Sequence, residues 1–353
     1  MIIFRADGNS FIGLGHIMRC LSIADTAKKY GDKCVFITAG KECLDIIISH
    51  GYECIVLDTD YNDMTAELNK LLPIIKTNSP SALFVDSYFV TNTYLKQLWG
   101  LVRKIHGKMV YIDDVLAFPY PCDIILNYNI YGPDKEKNYN SLYYKAKMSI
   151  PKFLLGTSYV PLREEFQDIP KRIVKKEAQN IFISTGGTDF EHLTIEIIKE
   201  VKKFKSQYIF CFVIGEMNKD REIIYNISYD DPNIILFDNV KQMAKLMSSC
   251  DVAISASGST LYELCATQTP TVTYILADNQ ILSAEGFHNR YILECIGDVR
   301  KLGVINLSKC LIKSATALAD DYKRRVEITK NMQNIVDGQG ANRLLKFIKN
   351  NNL

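Results

Sequence analysis

The sequence holds ten cysteines in 353 residues but no C-x-x-C pair, so the spacing that marks zinc ribbons and thioredoxin-like redox sites is missing. Most of these cysteines fall within apolar strand or helix patterns and read as reduced core thiols, which fits a reducing cytoplasm. No apolar run approaches the roughly 18–20 residues of a membrane span. No basic stretch followed by an apolar one marks a leader at the N-terminus. Cytoplasmic localisation without a membrane span is therefore expected. The formal net charge is only +2 and the Lys and Arg residues are scattered, which gives no footprint for a nucleic-acid partner. No glycine loop is followed by Gly-Lys-Ser/Thr, so a Walker phosphate site is excluded. Low-complexity segments and short internal repeats are also absent.

What remains is ordinary globular composition, 47% hydrophobic and 23% charged, in a chain long enough for two cores. Short apolar strands alternate with amphipathic helices twice. In the first half, strands are expected over residues 1–4, 34–37, 54–57, 82–86, 108–113 and 123–126, with helices between them. Pro73 is expected to kink or end the helix over residues 65–75. Residues 132–150, rich in Lys, Asn and Tyr, read as peripheral. Prolines and charges over 157–178 mark a linker. The alternation then restarts with strands over 180–184, 208–214, 233–236, 251–254 and 271–275. The pattern predicts an α/β protein of two Rossmann-like, doubly wound domains facing a central cleft. The domains are placed at residues 1–160 and 161–335. A C-terminal helix over 336–353 is expected to return to the first domain.

Ligands of such sheets bind beyond the carboxyl ends of the strands. The first strand runs into Asp7-Gly8-Asn9-Ser10-Phe11-Ile12-Gly13-Leu14-Gly15-His16, a glycine-rich loop that meets a helix at its histidine. Gly13 and Gly15 allow a sharp turn and close approach of a ligand. A dinucleotide fingerprint would need a third glycine where Met18 stands and an acid where Thr38 ends the second strand, so a nicotinamide dehydrogenase is excluded. His16 is the candidate general base, since the positive end of its helix disfavours imidazolium. Asp7, Asp86, Asp113 and Asp114 each follow an apolar strand, and one or two of them are expected to orient His16 or bind substrate hydroxyls. Tyr88 and Asn127 lie on the same rim. Asp58-x-Asp60 has the spacing of a metal clamp but leaves the wrong strand, so no metal is assigned. His50, His106, His192 and His288 are assigned no chemistry.

In the second half, Ser257-Gly258-Ser259-Thr260 joins a strand to a helix and can cradle a phosphate, with Glu263 in reach of a ribose. The alternative is an ordinary helix cap. Gly186-Gly187-Thr188 is a second turn of the same kind. The pair favours a nucleotide diphosphate.

Taken in order, Phe4-Arg5-Ala6-Asp7, Ile12-Gly13-Leu14-Gly15-His16-Ile17-Met18-Arg19, Cys122 to Asn129, Tyr159 to Phe166, Gly186-Gly187-Thr188-Asp189 and Ile254 to Ser257 resemble the nucleotide-sugar hydrolases of pseudaminic acid biosynthesis and the related spore-coat SpsG proteins. The resemblance covers roughly residues 1–300 and extends to the GT-B transferase of peptidoglycan synthesis. It implies a GT-B-like fold, a UDP-sugar partner and no cofactor. It also implies hydrolysis of UDP-2,4-diacetamido-2,4,6-trideoxy-β-L-altropyranose or a close relative, with inversion and without a metal. The family's catalytic histidine matches His16. Its nucleotide contacts map onto Gly186, Gly187, Thr188, Ser257, Gly258, Ser259, Thr260, Glu263, Asn279 and Gln280. Arg163 maps to a substrate-side contact. Beside Asp7, Gly13, Gly15, Asp86, Tyr88 and Asn127, it completes the expected sugar site. The helical tail reads as an addition to the compact members. Transfer of the sugar to a cell-surface glycan and non-catalytic nucleotide-sugar binding are the alternatives. The oligomeric state is left open.

Overall fold

Unbroken apolar runs become parallel strands, most of them buried on both faces. In the computed structural model, which describes residues 1–189, 191–204, 207–215 and 217–350, the chain divides into two units. The first comprises residues 1–164 with the segment from Gly338 onward, and the second residues 165–337.

The first unit runs β1 (Ile2–Ala6), α1 (Gly15–Lys29), β2 (Cys34–Thr38), α2 (Leu44–Ser49), β3 (Glu53–Val56) and α3 (Leu68–Asn78). It continues with β4 (Ala82–Asp86), α4 (Asn92–Lys104), β5 (Lys108–Ile112), β6 (Ile124–Asn127), α5 (Glu136–Ala146) and β7 (Lys152–Leu155). The strands lie in the order β3-β2-β1-β4-β5-β6-β7, all parallel. The winding reverses between β1 and β4. In doubly wound sheets, ligands bind beyond the carboxyl ends of the strands at such a reversal. One face of the sheet packs Ile3, Val35, Leu83 and Met109 onto α3, α4 and α5. On the other, Phe4 stacks between Phe36 and Phe84, with ring centroids 5.0 and 4.9 Å apart.

Two elements depart from the sequence reading. Helix α3 continues through Pro73 to Asn78, because the buried stripe Leu68, Leu71, Ile75 holds it against the sheet despite the missing N–H. Residues 136–146 are not peripheral. They form α5, whose Tyr139 and Tyr143, four apart on one face, are buried beneath the sheet edge.

Arg5 on β1 is fully buried. Its Nε and Nη2 donate to both Glu67 oxygens at 2.7 and 2.5 Å, and its Nη1 donates to Asp7 at 2.5 Å. Burial would lower its basicity, but the Glu67 bonds and the Asp7 charge outweigh this and raise it well above the ordinary value. Glu67→Gln leaves a buried cation half compensated. It is expected to cost about 3–5 kcal/mol of stability, read as an earlier unfolding transition in urea.

The second unit runs β8 (Asn180–Ser184), α6 (Leu193–Lys203), β9 (Ile209–Ile214), α7 (Arg221–Ser228), β10 (Ile234–Asp238), α8 (Met243–Ser249) and β11 (Val252–Ala256). Then come α9 (Thr260–Ala266), β12 (Thr271–Ile275), α10 (Ile281–His288), β13 (Glu294–Asp298), α11 (Val299–Leu302), α12 (Val304–Asp320) and α13 (Tyr322–Met332). The order β10-β9-β8-β11-β12-β13 is again parallel and reverses between β8 and β11. Strand β13 was not expected; its half-exposed Glu-Cys-Ile-Gly-Asp run carries no apolar signature. The linker is anchored by Arg172, which donates to the carbonyls of Met247, Cys250 and Thr267 at 3.0, 2.8 and 3.1 Å at the ends of α8 and α9. Its burial pushes the guanidinium down to about 10.

The final helix, α14 (Gly340–Asn350), belongs to the first unit and packs on α1 and on the short turn Thr157–Tyr159. It buries Ala341, Leu344, Leu345 and Ile348. Tyr30 on the α1 side donates to Asn342 at 3.2 Å, and Arg343 donates to the Ser158 carbonyl at 2.9 Å. Gly340 cannot be replaced without movement, since a Cβ there would lie 2.1 Å from the Val160 carbonyl oxygen. Residues 351–353 of the expected tail helix lie outside the described residues. Among the described residues no helix is long and apolar enough to cross a membrane. All ten cysteines are free, and Cys310 alone is exposed.

Candidate active site

The winding reversal of the first unit places the β1 exit beside the β4 exit, and both carry residues singled out from the sequence. After β1 the chain turns on Asn9, whose side-chain oxygen accepts from the N–H of Phe11 and Ile12 at 2.8 and 3.0 Å. Gly13 closes the turn onto the Asn9 carbonyl at 2.9 Å with a φ of +74°, a conformation that favours glycine. The space a Cβ would occupy on Gly13 or Gly15 is empty. Gly8, which sequence reasoning passed over, is the tight point: a Cβ there would meet the Cys43 sulfur at 2.7 Å.

His16 is the second residue of α1 and is only 4% exposed. Its Nδ1 lies 2.6 Å from Asp86 Oδ1 at the end of β4. Because a carboxylate only accepts, Nδ1 carries the hydrogen, and in the neutral ring Nε2 is then the nitrogen with the lone pair. Nε2 has no hydrogen-bond partner among the described residues. Tyr88 packs edge-on against the imidazole with centroids 4.6 Å apart. Of the four acids considered from the sequence, Asp86 is thus the one that orients His16. Burial would raise its carboxyl, but Arg19 and His16 overcome this and hold it well below the usual carboxylate range.

The remaining acids are engaged elsewhere. Asp7 accepts from Arg5 through one oxygen and from the Ala39 N–H at 2.7 Å through the other. Asp113 accepts from the Tyr139 and Tyr120 hydroxyls at 2.5 and 3.0 Å and from the N–H of Val115, and its burial raises its pKa. Asp114 receives Arg19 at 2.8 Å, Tyr88 at 3.2 Å and Asn129 at 2.8 Å. Asn127 is buried and bonded to Asn129 and Tyr139, so it supports the rim from below. Arg163 is half-buried near the end of the first unit's main segment. Asp58 and Asp60 line a cavity of about 460 Å³ with Asp7, Asn9, Glu42 and Tyr61, at the exits of β1, β2 and β3. Among the described residues no cluster of three or more His, Cys, Asp or Glu side chains is placed to hold a metal ion.

In the second unit the two expected turns also flank the reversal, one after β8 and one after β11. Gly186 has a φ of +98°, and the following Gly187 carbonyl lies 2.3 Å from where a Gly215 Cβ would be, so the turn rests directly on a glycine backbone. Asp189 caps α6 by accepting from the N–H of Leu193 and Thr194 at 3.1 and 2.9 Å. Ser257 turns inward, bonded to Thr273 and the Tyr274 carbonyl at 2.9 and 2.8 Å. Ser259 is exposed and its side chain does not cap α9. Gln280 reaches the same turn, its Nε2 lying 3.8 Å from the position of a Gly258 Cβ. Asn279 and Gln280 sit in the short turn that opens α10.

Two parallel α/β sheets with this winding define a two-domain fold of the GT-B glycosyltransferase type. The solved structure of Acinetobacter baumannii MurG shares it over 99% of each chain, with a TM-score of 0.66 at 12% identity. Residues 180–324 match the model of the glycosyltransferase family 28 C-terminal domain. The resemblance read from the sequence is borne out. The chain is similar to the UDP-2,4-diacetamido-2,4,6-trideoxy-beta-L-altropyranose hydrolase of Campylobacter jejuni, at 29% identity over 74% of this chain and 86% of that protein. It is also similar to the spore coat polysaccharide biosynthesis protein SpsG of Bacillus subtilis, at 22% identity over 98% of this chain and 96% of SpsG. That near-complete overlap means the helical tail is no addition relative to SpsG. An uncharacterized protein of Methanocaldococcus jannaschii is 25% identical over 78% of the chain, which spans about half of that relative's length (55%).

Proposed function

We propose that this protein hydrolyses a UDP-linked diacetamido-trideoxy sugar, the 2,4-diacetamido-2,4,6-trideoxy-β-L-altropyranose derivative or a close relative, to free sugar and UDP. The observation that carries the reading is the Asp86–His16 pair at 2.6 Å, with Nε2 unpartnered, at a winding reversal. The name of the Campylobacter relative supplies the substrate class. In the proposed reaction, water attacks the anomeric carbon while Nε2 takes its proton. A carbon–oxygen bond forms to water as the bond to the UDP oxygen breaks, and the electron pair leaves on the diphosphate. Asp86 compensates the imidazolium that results. Attack opposite the leaving group inverts the anomeric centre.

Gly13, Gly15, Tyr88 and Arg163 are assigned to the sugar. The turns Gly186 to Thr188 and Ser257 to Thr260, with Glu263, Asn279 and Gln280, are assigned to UDP. Backbone N–H groups there offset the growing diphosphate charge without a metal.

The family 28 match supports a second reading, transfer of the sugar to an acceptor hydroxyl by the same base. Incubation with a panel of UDP-sugars, followed by NMR, separates the two. Hydrolysis predicts UDP and an inverted free sugar in equal amounts, unchanged by a chelator. Absence of UDP release from every sugar tested rules the hydrolase out.

A further inference from the structure

Arg19 lies one helical turn beyond His16, on the same face of α1. In the sequence it closes the motif Ile12 to Arg19 and is given no role of its own. In the structure it is the centre of the rim. Its Nε and Nη2 form a fork onto both Asp86 oxygens, each at 2.5 Å. Its Nη1 donates to Asp114 and to the Tyr128 hydroxyl, both at 2.8 Å, and its guanidinium lies 5.5 Å from the Tyr128 ring centroid. One side chain thus ties α1 to residues at the exits of β4, β5 and β6. Its Nη2 also lies 3.0 Å from His16 Nδ1, so both groups converge on the same Asp86 oxygen.

We propose that Arg19 is the positioning residue of this site: it locks Asp86 in the orientation that keeps the His16 hydrogen on Nδ1. The inference rests on the reading of His16 as that base. A carboxylate without the fork can rotate and release Nδ1, and the imidazole then samples the tautomer whose Nε2 carries the hydrogen and cannot accept one.

The charges facing His16 can be counted. Asp86 and Tyr88 come from the β4 exit, and Arg19 and Cys20 from α1. Asp114 and Tyr128 connect through Arg19, and Asp114 also through Tyr88. Burial pushes the Cys20 thiol and the Tyr128 hydroxyl up, so both stay neutral. Asp7 on the β1 exit is paired with Arg5. Two carboxylates and one guanidinium leave one net negative charge, which the proton taken by His16 cancels.

Arg19→Lys keeps the charge and loses the fork; Arg19→Met loses both. Nitrogen-15 NMR of the His16 ring, assigned with His16→Gln, reads tautomer and protonation without substrate. In both variants the share of the Nδ1–H tautomer is expected to fall, because each loses the fork that fixes Asp86. With UDP-sugar, both variants are expected to lose about 10- to 100-fold in kcat at little-changed KM. An unchanged tautomer in both folded variants overturns the proposal. Tyr128→Phe removes one bond to Arg19 and no charge. Should the Arg19 variants fail to fold, a lower kcat with unchanged melting in Tyr128→Phe sustains the proposal, and an unchanged kcat overturns it. If the unaltered protein releases no UDP yet the ring responds as described, the hydrolase reading falls and the role of Arg19 stands. UDP release with an unresponsive ring gives the reverse.

Discussion

His16→Gln is expected to lower UDP release by about 10²- to 10⁴-fold, the usual worth of a positioned general base, while leaving the affinity for UDP unchanged. The two effects separate because the proposed nucleotide contacts all belong to the second unit and His16 to the first. Gln is chosen over Ala because the side chain is almost wholly buried, and an empty volume beside Tyr88 would confuse a catalytic loss with a packing loss. Turnover is followed as UDP formation and affinity by calorimetry with UDP alone. Full activity in the variant would sink the mechanism. Loss of UDP affinity together with turnover would place His16 on the phosphates instead.

Asp86→Asn is expected to cost a comparable amount, about 10²- to 10⁴-fold in kcat, for a different reason. The amide can present its NH₂ to His16 Nδ1. That favours the tautomer with the hydrogen on Nε2, and the base is lost although the ring stays in place. The same substitution takes one acceptor from the Arg19 fork. A pH signature accompanies it. Arg19 and His16 hold the Asp86 carboxyl below its unfolded value, so Asp86 contributes stability above roughly pH 3.9 that is lost as pH falls below that value. The unaltered protein is therefore expected to lose more stability than Asp86→Asn between pH 7 and pH 3, measured by urea unfolding at each pH. An equal loss in the two proteins would show that Asp86 is not held ionised by its neighbours.

The sheets and the first-unit part of the candidate site were legible because their signals are local. Ala82 to Asp86 is an unbroken apolar run closed by an acid, and the Gly13-x-Gly15-His16 loop announces itself within four residues. What escaped is what depends on distant pairing. Arg19 meets Asp86 across 67 residues and Tyr128 across 109. Arg19 closes the motif that carries the resemblance, but nothing near it in the sequence shows which groups it holds. Tyr139 lies in a stretch whose lysines and asparagines read as solvent-facing, yet its hydroxyl holds Asp113 and Asn127 under the rim. Its spacing of four from Tyr143 was the available clue. The acids failed in the opposite sense. Asp7, Asp86, Asp113 and Asp114 share one sequence context, and only their partners separate an ion-pair acid, a histidine-orienting acid and two that brace loops.

The return of α14 to the first unit has a consequence for biogenesis. The flank of α1 on which α14 packs is translated early, and α14, with its buried Leu344, Leu345 and Ile348, only after the whole second unit. At about 5–20 residues per second, ribosomal synthesis of the intervening residues takes roughly 10 to 35 s. Until then the first unit lacks the helix that covers this flank, so its packing is completed only once residues 340–350 have been made.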